Sequence, residues 1–370
     1  MNLSTRIAAA VSLIALMGAP ALAAEEATQE AGTITSADAA TTPAAAADTG
    51  PASAQATGGE GMAEVNALPN LPDPISKSAA VYATFQADVS DVSEGELASA
   101  SDIEVSLTNL GSQNPGQLSS GWLAYAALIA SQDEAYRAAV RDISSYYGAE
   151  SFTRGLRNDP RYARSLEGGK SAVTSALVAT DADVTRINHA GAYVKEQAYS
   201  LQASGWAKAR IGNTDQMIET IRTAALSGRS AAPEFVSALG TPDMGGLLKR
   251  AGSDGAVSLW DGVSTAAEAV RVPVLPIKYD GRSARIRAGK EPIADRIATL
   301  AAYRILGEEA STPDELYTAM SERQTQGCLK MAQLNLHQCV AAAHKQYEVP
   351  FCIGEHALLD VGGCIGDVTQ

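Results

Sequence analysis

Aromatic residues are scarce in this chain, at 5% of its 370 residues, and this argues against a β-rich fold because strands favour aromatic side chains. Alanine is abundant, and in several windows apolar residues recur every three or four positions, which is the period of an α-helix. One such stripe contains Trp122, Tyr125, Ala126 and Ile129. The sequence therefore predicts an all-α, alanine-rich helical bundle.

Long apolar runs are also missing. No stretch after residue 23 approaches the roughly 18 consecutive apolar residues that span a bilayer, so we expect no transmembrane segment in the mature chain. A short apolar run follows Arg6 and ends at Ala21-Leu22-Ala23, which is the pattern of a cleaved secretory signal. Residues 1–23 are therefore predicted to be a signal peptide, and we expect a periplasmic or secreted protein.

Basic residues are absent from residues 24–74, although this segment carries eight acidic residues. Large apolar side chains are almost absent there as well, so burial cannot offset the entropy cost of ordering the segment. We predict an acidic disordered linker at 24–74, followed by a helical domain at 75–312. The formal net charge of the chain is -14, and we expect no nucleic-acid partner because the linker repels polyanions.

The chain lacks the G-x-S-x-G, H-E-x-x-H and S-x-x-K motifs of hydrolases, and we expect no cofactor. Glu150-Ser151-Phe152 is similar to the opening of the lytic transglycosylase signature, in which a glutamate is the general acid on a glycan bond. The Gly-Leu-Met-Gln segment that should follow is missing. One alternative function is therefore a cell-wall glycan-cleaving enzyme that uses Glu150 as its catalytic acid.

Two prolines, Pro273 and Pro276, interrupt the helical pattern. The nearby Asp280-Gly281 pair is typical of a two-residue turn, so a small β-hairpin is predicted at 274–287. Basic residues gather in the same part of the chain, where they form either a solvated face or an anion site. The candidate anion-binding residues are Arg282, Arg285, Arg287 and Lys290.

The four cysteines all lie in the last 43 residues. A cap, a proline and an acidic residue, Ser311 to Glu315, predict a helix that begins near Pro313 and ends near Gln346. Cys328 and Cys339 are eleven residues apart on this helix, so they share a face at a separation of about 16 Å. That distance is too long for a disulfide between them.

A second helix, from about 353 to 361, must run back antiparallel to the first. Antiparallel helices favour nested disulfides, which predicts Cys339–Cys352 near the turn and Cys328–Cys364 at the open end. Twelve residues on an ideal helix leave Cys364 about 120° from the face of Cys352. We therefore expect Gly362-Gly363 to break the helix, within a four-cysteine helical hairpin at 313–370.

Histidines in the same segment offer a rival interpretation. Cysteine and histidine together suit zinc or copper, so His337, His344 and His356 are candidate ligands of a metal-handling protein. However, His337 and His344 lie on a helical face turned away from Cys339, and no two cysteines are two to four residues apart. An oxidising compartment would also convert the thiols to disulfides. The favoured prediction is no metal.

Two segments carry a resemblance. Residues 198–202 (Ala-Tyr-Ser-Leu-Gln) with Trp206, and the tail from Tyr347 through His356 and Asp360 to Cys364, are similar to a group of uncharacterised exported bacterial envelope proteins. This resemblance implies an envelope location but brings no activity and no site residues. The leading hypothesis is therefore a non-enzymatic periplasmic interaction protein with a protein or cell-envelope partner.

Overall fold

A computed structural model describes residues 73–239, 284–307 and 313–369. These residues form helices and their connections, with two isolated β-bridges and no strand or sheet among them, which confirms the all-α prediction. The predicted β-hairpin at 274–287 lies mainly outside the described residues. Within its described end, Ile286 pairs with Thr369 near the C-terminus, and Arg287 N donates to Val368 O at 3.0 Å.

The predicted signal peptide and the predicted linker, up to residue 72, also lie outside the described residues. The described helices of the first range are α1 (Pro74–Glu94), α2 (Ala100–Gly111), α3 (Pro115–Ala130), α4 (Glu134–Tyr147), α5 (Ala149–Asn158), α6 (Tyr162–Ser165), α7 (Gly169–Leu201), α8 (Thr214–Ser227) and α9 (Pro233–Leu239). A short 3₁₀ turn, Trp206–Lys208, follows α7.

The C-terminal ranges contain α10 (Glu291–Leu306), α11 (Pro313–Met320), α12 (Arg323–Ala342), α13 (Glu348–Cys352), a π-helical turn (Ile353–Leu359) and α14 (Asp360–Gly366). The described residues all belong to one compact unit.

The core is built around α1, α3 and α7. The predicted stripe of α3 is buried, and Trp122 Nε1 donates to Thr180 Oγ1 of α7 at 3.2 Å. Helices α1 and α3 lie so close that a Cβ on Gly121 would stand 2.7 Å from the backbone oxygen of Ser78. Glycine at 121 therefore lets two alanine-rich helices pack backbone to backbone, where larger side chains would separate them.

A row of hydrogen-bonded polar side chains crosses this core between α1 and α7. Gln86 Nε2 donates to the Tyr82 hydroxyl at 2.8 Å, and that hydroxyl donates to Asp183 Oδ2 at 3.2 Å. Arg186 Nη1 lies 3.1 Å from Asp183 Oδ1, so the fully buried carboxylate has a cationic partner. Burial, followed by the charge of Asp183, raises the pKa of Tyr82 well above its usual value, which keeps this hydroxyl a neutral donor.

Helix α1 begins at Pro74, with Asp73 as its N-cap, so the last two residues assigned to the linker belong to the helix. Asp73 Oδ1 accepts from Ile75 N at 2.9 Å and from Ser76 N at 3.0 Å. Arg304 Nη1 of α10 lies 2.5 Å from Asp73 Oδ2. Asp73, which was predicted to belong to the linker, is therefore a buried helix cap.

The prediction of one continuous helix from Pro313 to Gln346 is wrong, because the structure has two helices there. Helix α11 ends at Met320, and Glu322 then acts as the N-cap of α12, accepting from Gln324 N at 2.9 Å and from Thr325 N. The guanidinium of Arg296 donates to Ala319 O at 2.9 Å and satisfies the end of α11. The chain therefore ends α11 and starts α12 within two residues, Ser321 and Glu322, because each helix end finds a local partner.

Both predicted disulfides are confirmed. Cys339 bonds to Cys352 near the turn and Cys328 bonds to Cys364 at the open end, and the Cα atoms of each pair are 5.6 Å apart. The described cysteines include no free thiol. Helix α12 and the chain from 348 to 366 therefore form the predicted antiparallel hairpin.

The expected helix break at Gly362-Gly363 is wrong, because α14 continues to Gly366. The π-helical turn Ile353–Leu359 brings Cys364 onto the correct face instead. Hydrogen bonding from i to i+5 takes up one more residue per turn than an α-turn. The sequence separation of twelve from Cys352 to Cys364 then turns the helix as far as eleven α-helical residues would, which leaves only about 20° of rotation between the two cysteines.

Glycines place this hairpin against α7. A Cβ on Gly354 would lie 2.8 Å from Gly191 O and 2.6 Å from Lys195 Cγ, and a Cβ on Gly362 would lie 2.7 Å from Asn188 Oδ1. The π-helical turn therefore touches the backbone of α7 directly, and α14 packs closely against its side chains. Helix α7 contacts α1 and α3 as well as the hairpin, and this is how the C-terminal segment becomes part of the core.

Candidate functional site

Backbone hydrogen bonds fix the turn of the hairpin onto the segment that follows α7. Ile211 N donates to His344 O at 3.1 Å, Gln346 N donates to Ala209 O at 3.3 Å, and Tyr347 N donates to Ala207 O at 3.2 Å. The two stretches thus pair like a very short antiparallel ladder. This pairing sets the distance between the end of α7 and the start of α13.

A surface groove of about 290 Å³ lies between these two helix ends, and we name it the hairpin groove. The lining residues range from buried to exposed, and both cysteines of the Cys339–Cys352 disulfide are among them. The buried lining residues are Ala198, Ala343 and Cys352, the half-buried ones are Cys339, Tyr347, Glu348 and Phe351, and the exposed ones are Tyr199, Gln202 and Ala342.

Aromatic side chains from both helices shape one side of the groove. The rings of Tyr199 and Phe351 meet edge to face, with centroids 6.1 Å apart and an interplanar angle of 68°. Lys195 Nζ lies 5.0 Å from the centroid of the Phe351 ring and forms an ion pair with Glu355. The lysine charge is therefore balanced, while Tyr199 remains 59% exposed.

Glu348 is the charged residue of the lining. Its Oε2 accepts from the backbone nitrogens of His344 and Lys345, so the carboxylate closes the turn before α13. The groove is thus mainly apolar, with one acid at its margin.

The groove joins the two segments on which the resemblance rests. Residues 198–202 supply one side, and the tail beginning at Tyr347 supplies the other. Nothing in either segment indicates that they are neighbours, because their proximity depends on how the hairpin packs against α7. The sequence therefore points to both halves of the site but not to the site itself.

The three candidate metal ligands have separate environments. His356 Nδ1 lies 2.8 Å from Asp360 Oδ2, and His344 is exposed beside the turn. His337 is half-buried, and burial, followed by the charge of Arg222, lowers its pKa. Within the ranges that the structure describes, no group of three or more His, Cys, Asp or Glu side chains is arranged to hold a metal ion.

Glu150 lies in the first turn of α5, where its side chain is 85% exposed. Its carboxylate pairs with Arg154, four residues further on, at 2.8 Å. An acid at a helix N-terminus with an i,i+4 arginine is an ordinary stabilising arrangement. A catalytic role for Glu150 stays a prediction.

Two of the four candidate anion-binding residues are paired with a carboxylate of the chain itself. Arg287 Nη1 and Lys290 Nζ each lie 2.5 Å from an oxygen of Asp367. Arg285 is exposed, and Arg282 lies outside the described residues. Anion binding at this cluster stays a prediction, and any external anion would compete with Asp367 for two of its cations.

In the described ranges, no helix combines the length and the apolar character needed to cross a membrane. The fold and the groove together define an all-α protein with a disulfide-linked C-terminal hairpin. Comparison with protein-family models, with curated proteins and with solved structures finds no match to this chain.

Proposed function

We propose that this chain is a non-enzymatic, exported envelope protein that binds a protein partner at the hairpin groove. The observation that carries the proposal is an apolar groove with an exposed aromatic rim, assembled from two distant segments and held by a disulfide. A disulfide at a binding surface suits the periplasm, where such bonds form and persist. The signal pattern at residues 1–23 supports the same location.

The size and composition of the groove favour a protein partner over a small molecule. Its volume of about 290 Å³ falls just below the range of typical small-molecule pockets, so it accommodates a single large apolar side chain. Tyr199 and Tyr347 belong to a residue type that is enriched in the energetically dominant positions of protein interfaces. The expected occupant is therefore an aliphatic or aromatic side chain projecting from the surface of another exported protein.

A site-specific crosslink tests this proposal. A photoreactive phenylalanine analogue replaces Tyr199 at the rim, and in a second protein it replaces Tyr146, which is 78% exposed on α4. We expect a discrete crosslinked protein from position 199 and none of the same mass from position 146. Equal crosslinking from both positions would show only surface encounter and would contradict the proposal.

A blocking variant makes the test specific to the groove. Ala342 lines the groove and is exposed, whereas its neighbour Ala341 is exposed but does not line it. We expect Ala342→Trp to abolish the crosslink from position 199 and Ala341→Trp to preserve it. With the purified partner, Ala342→Trp should weaken binding at least tenfold, and unchanged binding would place the partner elsewhere.

A further inference from the structure

We propose that the hairpin groove is redox-conditional: it exists only while Cys339–Cys352 is oxidised, and a dithiol reductant that cleaves this bond removes the docking site. The inference rests on the proposed function for its biological meaning, since the groove is taken as the docking site. The structural part of the inference concerns the Cys339–Cys352 disulfide and the turn that it closes. The other disulfide is not required for the groove.

The first argument is that both sulfur-bearing residues line the groove. Cys352 is 2% exposed and belongs to its buried lining, whereas Cys339 is half-buried and open to the groove. Cys339 is the more accessible residue of this pair, so we expect a reductant thiolate to attack its sulfur; Cys328 of the other pair is exposed, so that disulfide is open to the same reductant. Neither Cys328 nor Cys364 lines the groove.

The chemistry is ordinary thiol–disulfide exchange. A thiolate of the dithiol attacks Cys339 Sγ, the bond to Cys352 breaks, and the Cys352 thiolate takes up a proton. The second thiol of the reductant then attacks the mixed disulfide and releases Cys339 as a thiol. The reductant leaves as its own disulfide, so two electrons have passed to the cysteine pair and two thiols are formed.

The second argument concerns what the bond holds in place. Cys339 lies in the last turn of α12, and Cys352 ends the five-residue helix α13, at a sequence separation of 13. The intervening turn carries the partners of the three backbone hydrogen bonds to residues 207–211. Helix α13 continues without a break into the π-helical turn, whose Gly354 packs on α7, so this end of α13 stays anchored. The disulfide is the covalent link between α12 and this end of α13, and its cleavage therefore loosens the turn at 343–347 and the Phe351 side of the groove against α12.

The third argument is that the change stays local. Cys328–Cys364 ties the opposite end of the hairpin, and the glycine contacts with α7 lie between that end and the groove. The helices remain joined when only Cys339–Cys352 is cleaved. Loss of the groove is therefore expected without loss of the fold.

Paired variants test the inference without a partner. Cys339→Ser/Cys352→Ser removes the proposed redox element, and Cys328→Ser/Cys364→Ser is the matched control. Hydrogen–deuterium exchange is measured at the amides of Ile211, Gln346 and Tyr347, which make the three bonds. We expect at least tenfold faster exchange at these amides in the first variant and rates near those of the parent protein in the second. Similar exchange in both variants would overturn the inference.

Graded reduction of the parent protein covers the case in which a variant does not fold. Dithiothreitol is added in steps, trapped thiols are mapped by alkylation and mass spectrometry, and exchange is followed in parallel. We expect fast exchange to follow alkylation of Cys352 rather than of Cys328. Exchange that follows Cys328, or neither cysteine, contradicts the inference.

The crosslink at position 199 separates the two proposals. If the amides respond as expected but no crosslink forms in the oxidised protein, the docking proposal fails and the redox dependence of the groove stands. If the crosslink forms and persists after Cys352 is alkylated, the docking proposal stands and the redox dependence fails.

Discussion

At the scale of single residues, arginines that come from elsewhere in the chain pair with buried acids. Asp88 and Asp295 are 5% and 4% exposed, and their partners, Arg229 and Arg164, lie more than 130 positions away. A buried carboxylate is costly unless it has such a partner. Each pair therefore fixes a connection between distant segments, although in the sequence these residues look like ordinary surface charges.

The first prediction concerns Asp88, which contacts the guanidinium of Arg229 at 3.0 Å from Nη2 to Oδ1. Burial raises the pKa of Asp88 from 3.8 to about 6, and Arg229 opposes this only in part. The folded state thus binds a proton more tightly than the unfolded state does, so this residue stabilises the fold at low pH. That contribution is lost as the pH rises from about 4 through 6.

The measurement is the free energy of unfolding in urea, from pH 4 to pH 7, for the parent protein and for Asp88→Asn. The asparagine cannot ionise, so the stability of the parent protein relative to the variant should fall by up to about 3 kcal/mol across this range. The difference between the two proteins isolates Asp88 from the other titrating groups. Parallel stability curves would contradict the prediction.

The second prediction concerns Asp73, which caps α1 and binds Arg304. Loss of an N-cap side chain typically costs about 1 kcal/mol, and loss of a partly buried ion pair adds to this. We expect Asp73→Ala to lower the free energy of unfolding by about 1–3 kcal/mol.

A pair of truncations provides the control for Asp73. Removal of residues 24–72 should leave the melting temperature nearly unchanged, because the acidic segment has almost no large apolar side chain to bury. Removal of residues 24–74 should resemble Asp73→Ala or be worse, since it deletes the cap and Pro74. Equal melting temperatures for the two truncations would show that the cap has no effect.

At the scale of elements, the hairpin separates what the sequence can predict from what it cannot. The proline start at Pro313 and the nested disulfides were predictable, because capping and the eleven-residue spacing are local properties. The π-helical turn was not predictable, because it follows from the need to satisfy a disulfide and a close contact with α7 together. The groove was missed for the same reason.

The third prediction tests the contact between the hairpin and α7. A Cβ on Gly354 would lie 2.6 Å from Lys195 Cγ and 2.8 Å from Gly191 O, and a backbone oxygen cannot move aside cheaply. We expect Gly354→Ala to destabilise the protein by about 1–3 kcal/mol, the usual cost of an overpacked contact.

Gly363→Ala is the matched control, since a Cβ there meets nothing within 4 Å and the residue lies within α14. Alanine favours helix over glycine by up to about 1 kcal/mol, so this variant should be neutral or slightly more stable. Urea unfolding of both variants gives the comparison. A cost for Gly363→Ala as large as that for Gly354→Ala would show that the close approach to α7 is not the cause.

At the scale of the whole molecule, α7 is the helix against which both the N-terminal helices and the C-terminal hairpin pack. It spans 33 residues, and it contacts α1 and α3 of the N-terminal part as well as the π-helical turn and α14 of the hairpin. The hairpin therefore contributes to the core rather than standing apart from it. Oxidation of the cysteines should accordingly affect the stability of the whole described fold.

The last prediction joins export to stability. When the chain is produced with residues 1–23 in a bacterial host, we expect recovery from the periplasm with Ala24 as the new N-terminus and no thiol reactive toward maleimide. The same chain produced without residues 1–23 should stay in the reducing cytosol with free thiols.

Sequence separations of 36 and 13 correspond to about 3.8 and 2.9 kcal/mol in the chain-entropy model, so the reduced protein should be less stable by several kcal/mol. Intact mass, maleimide labelling and urea unfolding of the two preparations measure these differences. A periplasmic product with four free thiols, or a reduced protein as stable as the oxidised one, would contradict the coupling, because a hairpin that packs on α7 this closely cannot lose both crosslinks without cost.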